Sequence, residues 1–184
     1  MTTNEAGRRE AGEDHSIETV AGAEQLAEAV DSTTIVVGHD GSGSADEALR
    51  VALRLGHELH SPVTVVRAWS IATAPRPANW KFGYVSTAEE LEEAVRDDLV
   101  GGTRAMVEAF PTVTVNYRVY HSSPAKSLIQ ASEGARLLVV GSRGLGGFKE
   151  VVLGSVSEQC VRHASCPVLV TKRRTPASSD ASVS

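Results

Sequence analysis

The sequence predicts an α/β fold: a single-domain, doubly wound, open parallel sheet of five strands flanked by about four helices. Five apolar runs rich in β-branched residues recur along the chain, and stretches with helical periodicity alternate with them. The length of 184 residues and a hydrophobic content of 41% fit one domain with an ordinary core.

The elements follow in order. Residues 1–16 are polar, charged and poor in bulky apolar side chains, the composition of a disordered arm. Residues 17–30 have the spacing of a short helix, with Leu26, Ala27 and Val30 on one face. Residues 33–38 are β-branched and apolar on both faces, as in a strand buried within a parallel sheet. A capping-box pattern, Ser44-Ala45-Asp46-Glu47, then opens a helix whose stripe of Leu49, Leu53, Leu55 and Leu59 runs up to His60.

Residues 62–69 form the second strand. The stretch 70–85, with Pro75, Pro77, Trp80 and Gly83, is a long irregular connection of the kind that covers sites. A second helix starts near Ser86 or Thr87, is capped by Glu89 or Glu90, and extends to about Phe110. Gly101-Gly102 within it cost about 1 kcal/mol each relative to alanine, which predicts a bend or a close helix contact. Residues 112–120 are the third strand, and Ser123-Pro124 starts a short helix with proline at N1 that ends near Gly134. Residues 136–141 are the fourth strand. Ser155-Val156-Ser157-Glu158 reads as a capping box opening the last helix, and residues 167–171 are the fifth strand. The Ser-, Ala- and Pro-rich tail 173–184 reads as a solvated end. The expected organisation is thus an acidic extension over 1–31, disordered to partly helical, a folded domain over 32–172, and a tail.

The chemistry concentrates between Gly141 and Ser155, where the fourth strand runs into G-S-R-G-L-G-G-F-K-E-V-V-L-G-S. Glycines at 141, 144 and 154 let a loop take positive φ and aim its N–H groups at one point, and a helix starting at Ser155 adds its positive dipole end. That combination predicts an anionic nucleotide as ligand. Ser155 and the N–H of Val156 would close the cradle, although serine at an N-cap also stabilises a helix by about 1 kcal/mol with no ligand. Arg143 could pair with phosphate through its planar fork or, like Lys149, be a solvated loop charge.

The spacing G-x-x-G, nine residues, G-S, the opening strand leading to His39-Asp40-Gly41-Ser42, and the closing run Cys166-Pro167-Val168-Leu169-Val170 together resemble the ATP-binding branch of the universal stress protein family. The resemblance covers residues 33–171. It implies a strand order of 3-2-1-4-5, with a ligand crevice between strands one and four. It also implies ATP, ADP or AMP as cofactor, a stress-response role, and a homodimer formed through the last strand. One carboxylate, Asp40, makes a poor cage, so magnesium is expected only with the nucleotide. Acids where a signal peptide would be apolar predict a cytoplasmic protein. In the site so implied, Asp40 lies near the ribose or the metal-bound phosphates, Gly38 allows close approach of the nucleoside, and the backbone of Ala68 borders adenine. Ser142, Arg143, Gly146 and Gly147 join Gly141, Gly144, Gly154, Ser155 and Val156 around the phosphates. Asp40 in D-G-S is also an ordinary turn former, and Ala68 could be a small core residue.

Other chemistries are disfavoured. The net charge of −5 sits in the arm, since residues 1–31 hold eight acidic and two basic residues against fifteen and sixteen in 32–184, so nothing resembles a nucleic-acid footprint. No apolar run approaches the roughly 20 residues that span a bilayer, which leaves a membrane without a role. A Gly-Lys pair does not occur, so there is no Walker A lysine, and Asp46 stands where the dinucleotide fingerprint needs its third glycine. His57-Glu58-Leu59-His60 lacks the spacing of a zinc hydrolase, and His121 and His163 read as surface or cap residues. Cys160 and Cys166 lack metal or redox spacing and read as half-buried thiols. No general base or nucleophile is laid out for turnover, so hydrolysis of ATP would be slow at most. The other readings are an AMP- or cyclic-AMP-binding protein, a nucleotide-free dimeric interaction module, and an adenylyl-transferring enzyme. The third is disfavoured because neither S-G-G-x-D-S nor H-I-G-H follows strand one.

Overall fold

In a computed structural model of the chain, residues 30–78, 80–82, 84–145 and 153–172 are described. Strands β1 (Ile35–Gly38), β2 (Val63–Trp69), β3 (Val115–His121), β4 (Leu137–Gly141) and β5 (Val168–Thr171) alternate with helices α1 (Gly43–Leu59), α2 (Ala88–Glu108), α3 (Pro124–Ala131) and α4 (Ser155–His163). The strands form one sheet in the order β3-β2-β1-β4-β5, every pair parallel, as the sequence predicts. Ile35 of β1 is paired with Val63 on one side and Leu137 on the other, which puts β1, with Ile35, Val36 and Val37 fully buried, at the centre.

Two clusters of buried side chains cover the two faces. On one, Leu49 and Leu53 of α1 and Val95 and Leu99 of α2 pack against Ile35, Val37, Val65 and Val119. On the other, Leu128 of α3 and Cys160 of α4 pack against Val36, Val66, Leu138 and Val140, and Val30 joins them. Each fully buried aliphatic side chain stabilises the fold by about 1.5–3 kcal/mol, so β1, apolar on both faces, is the element on which both layers depend.

Three expectations need correction. First, Ser42, not Ser44, caps α1: it is extended (φ −81°, ψ 154°) and its Oγ accepts the N–H of Ala45 at 3.2 Å. Glu47 therefore lies inside the helix, where it pairs with Arg50 at 2.8 Å. Second, the buried stripe of α1 runs through Ala45, Ala48, Leu49, Ala52, Leu53 and Gly56, leaving Leu59 46% exposed, because small residues let the helix lie close on the sheet. Third, α2 runs unbroken past Gly101-Gly102, and a Cβ at either would meet nothing within 4 Å. Both glycines face outward while Val95, Leu99, Thr103 and Val107 carry the buried side. The expected start of α2 holds: Thr87 and Glu90 exchange both bonds of a capping box.

The expected helix over 17–30, apart from Val30, and the tail 173–184 lie outside the described residues. Among the described residues no helix is long and apolar enough to cross a membrane. Both cysteines are free; Cys160 is buried and burial pushes its thiol up to about 11, whereas Cys166 is half-buried. His121 is exposed and stacks on Trp69 with ring centroids 4.3 Å apart, and His163 lies exposed in the last turn of α4.

Candidate functional site

In this strand order the chain leaves β1 and β4 in opposite directions, so the loops after these adjacent strands part and leave a crevice at their carboxyl ends. A cavity of about 540 Å³ occupies it. Gly38 at the end of β1 and His39 and Asp40 after it line the cavity, with Ala68 from β2, Gly141 at the end of β4, Arg143 and Gly144 after it, and Gly154, Ser155 and Val156 at the start of α4. Gly146 and Gly147, also expected at the site, and Lys149 lie outside the described residues.

One wall is apolar. Val66 and Ala68 of β2 face Leu128 and Pro124 of α3, with Val156 and Val140 nearby, a surface suited to a flat base. Leu128 and Pro124 escape a motif search because they reach the cavity only through the way α3 crosses β2. An apolar residue on the first helix after β3 is the single sequence signal they give.

The opposite edge is polar and is built on α4. Gly154, extended at φ −73° and ψ 159°, is the N-cap, so Ser155 is the first helical residue and not the cap the sequence suggests. With no side chain, Gly154 caps nothing. The helical ladder begins with the N–H of Glu158 on Gly154 O at 2.9 Å, and the N–H groups of Ser155, Val156 and Ser157 precede it. Ser155 is exposed toward the cavity, and the Ser157 hydroxyl is turned back onto Gly154 O at 2.9 Å. At the other helix start, Ser42 Oγ takes the N–H of Ala45 and Asp40 Oδ1 takes that of Ser42. One first-turn N–H of α1 is therefore taken by a side-chain cap, whereas α4 has no side-chain cap and its start lines the cavity.

The glycines act differently from expectation. The left-handed conformation foreseen after β4 is absent at Gly141, Gly144 and Gly154, and occurs at Gly41 in the first loop (φ 85°). Close approach of a neighbouring backbone requires Gly141, while at Gly144 the neighbour is a side-chain tip that would have to shift. A Cβ at Gly141 would stand 2.9 Å from the backbone carbonyl of Ser44, and one at Gly144 would stand 2.6 Å from Asp40 Oδ2. A Cβ at Gly38 would meet Leu128 Cδ1 at 2.9 Å, so this position accommodates the apolar wall. Ser142 is buried and does not line the cavity. Its N–H donates to Thr171 O at 2.7 Å and its carbonyl accepts the N–H of Gly154 at 2.8 Å, which ties α4 to β4 and β5.

Charge at the site is sparse. Asp40 is half-buried, Arg143 is exposed, and His39 is buried with Nε2 3.1 Å from Asp46 Oδ1. Burial holds the His39 imidazole below its ordinary range, outweighing the bond and charge of Asp46. Among the described residues no cluster of three or more His, Cys, Asp or Glu is placed to hold a metal ion. Among the described residues the arrangement offers an apolar slot, the start of a helix without a side-chain cap, the Arg143 guanidinium, and the His39 and Asp40 side chains, which are already bonded within the protein.

Comparison with known proteins gives a consistent picture. The profile described as the Universal stress protein family matches residues 32–172. A universal stress protein of Mycobacterium tuberculosis is 31% identical over 139 residues, which cover 75% of this chain and 44% of that relative. This chain spans less than half the length of the mycobacterial relatives it matches. Among solved structures, a universal stress protein in complex with cAMP shares the fold with a TM-score of 0.58 at 21% identity, covering 79% of this chain and all of that one. The universal stress protein of Archaeoglobus fulgidus in complex with dAMP does so with a TM-score of 0.51 at 21% identity, covering 74% and 95%.

Proposed function

The chain belongs to the universal stress protein family, and from that membership we propose that the cavity between the β1 and β4 loops binds an adenine nucleotide, ATP in first place, for a regulatory purpose in the cytoplasmic stress response. The observation that carries the reading is the uncapped start of α4 opening onto a cavity whose far wall is apolar. A base fits between Ala68 and Leu128, and phosphate oxygens fit the N–H groups of Ser155, Val156 and Ser157 with Arg143 beside them. The cAMP and dAMP complexes of proteins with this fold support the same ligand class.

Regulation is preferred to turnover on chemical grounds. The His39 imidazole that lines the cavity is engaged with Asp46, and among the described residues the lining holds a single carboxylate, Asp40, a poor cage for Mg²⁺. Any magnesium would come with the phosphates, and ATP hydrolysis would be slow at most. Pairing of two copies through β5 belongs to the same reading, since that strand lies at the sheet edge with Val168, Leu169 and Val170 half-buried.

Isothermal titration of the purified chain with ATP, ADP, AMP and cyclic AMP tests the proposal. Saturable binding tighter than millimolar to at least one of them is expected, and none to any of them would overturn it.

A further inference from the structure

Asp40 has both carboxylate oxygens committed to main-chain donors on two different loops. Oδ1 accepts the N–H of Ser42 at 2.9 Å, within the turn after β1. Oδ2 accepts the N–H of Leu145 at 3.1 Å, across 105 residues of sequence, in the loop after β4. Gly144 makes the second bond possible, because a Cβ there would stand 2.6 Å from Oδ2. From this we infer that Asp40 is a positioning residue, a clasp that holds the β4 loop against the β1 loop and so sets the shape of the phosphate end of the cavity.

The chemistry requires an ionised acid. A carboxylate accepts at both oxygens, and bonds from N–H groups to it are charge-assisted. An asparagine of the same shape keeps one acceptor and turns an NH₂ toward the other N–H. The clasp gives Asp40 a positioning role in addition to the ribose or metal contact that the motif implies, since each oxygen gives one of its acceptor sites to the protein's own loops. Its effect on ligand affinity rests on the nucleotide reading above; the clasp itself does not.

Two measurements on the full chain separate these. Amide hydrogen exchange by NMR is compared between the wild type, Asp40→Asn and Gly144→Ala, with the amides of Val37 and Val66 as a control for the intact sheet. The clasp predicts that Leu145 exchanges at least about tenfold faster in both variants, the scale of one lost bond to a charged group, while the sheet amides are unmoved. Unchanged exchange at Leu145 in Asp40→Asn overturns the inference whatever the nucleotide result. Titration with ATP and with 2′,3′-dideoxy-ATP follows. A clasp predicts that Asp40→Asn weakens both by a similar factor, about tenfold, and that adding Gly144→Ala costs little more because both variants break one contact. A loss for ATP that vanishes with the dideoxy compound means that Asp40 acts on affinity through direct ribose contact and overturns the clasp as the device that shapes the phosphate end. A wild type that binds neither compound refutes the nucleotide reading and leaves the exchange result to decide the clasp.

Discussion

Gly141 and Ser44 touch so closely that the end of β4 and the first turn of α1 form one rigid unit: a Cβ on Gly141 would lie 2.9 Å from the carbonyl carbon, the carbonyl oxygen and the Cβ of Ser44. Three of the nearest atoms belong to Ser44, two of them backbone, so no side-chain rotation relieves the clash. Gly141→Ala is expected to destabilise the fold by about 1–3 kcal/mol, the usual cost of overpacking. Urea unfolding measures it, and a change within about 0.5 kcal/mol, the range of a surface substitution, would contradict the contact.

The buried His39 makes stability depend on pH. Burial lowers its folded-state pKa beneath the ordinary value of 6.5, against the opposing pull of Asp46 and Asp40 and with a smaller push from Arg67. As the pH falls, the unfolded chain takes up the proton first. The contribution of His39 is therefore complete above 6.5 and is lost as the pH drops below it. Unfolding free energies at about pH 7.5 and about pH 5.5 should fall more steeply in the wild type than in His39→Gln. Parallel slopes would show that His39 is not buried in its neutral form.

On the proposed nucleotide reading, Ala68 sets the room available to a base. It is half-buried on β2, next to Val66 and facing the α3 side of the cavity. Ala68→Leu places extra carbon atoms in open space, so stability should change little while nucleotide affinity falls at least about tenfold, or 1.4 kcal/mol. Calorimetric titration with a parallel urea curve checks both, and unaltered affinity would place the base elsewhere.

Some of this was legible in the residues and some was not. The helix start at Thr87 could be read because threonine and glutamate three residues apart fix both halves of a local exchange. The start of α1 could not be resolved between Ser42 and Ser44, since both are serines in a glycine-rich turn. The positive φ of Gly41 turns the chain just before Ser42 and decides it. The bend foreseen at Gly101-Gly102 failed because a glycine pair has the same spacing whether it faces a neighbour or solvent. Pro124 and Leu128 joined the site unannounced, as their role depends on how one helix crosses one strand. The tie between Asp40 and Leu145 is likewise invisible to any local pattern.

The open start of α4 is where the account is most directly exposed. A ¹H–¹⁵N NMR titration of the full chain with ATP reads the amides of Ser155, Val156 and Ser157 one by one. Saturating shifts centred on those three amides and on Arg143, with an apparent Kd below about 1 mM, are the predicted result. Shifts confined to other parts of the surface, or none at several times that concentration, would contradict it.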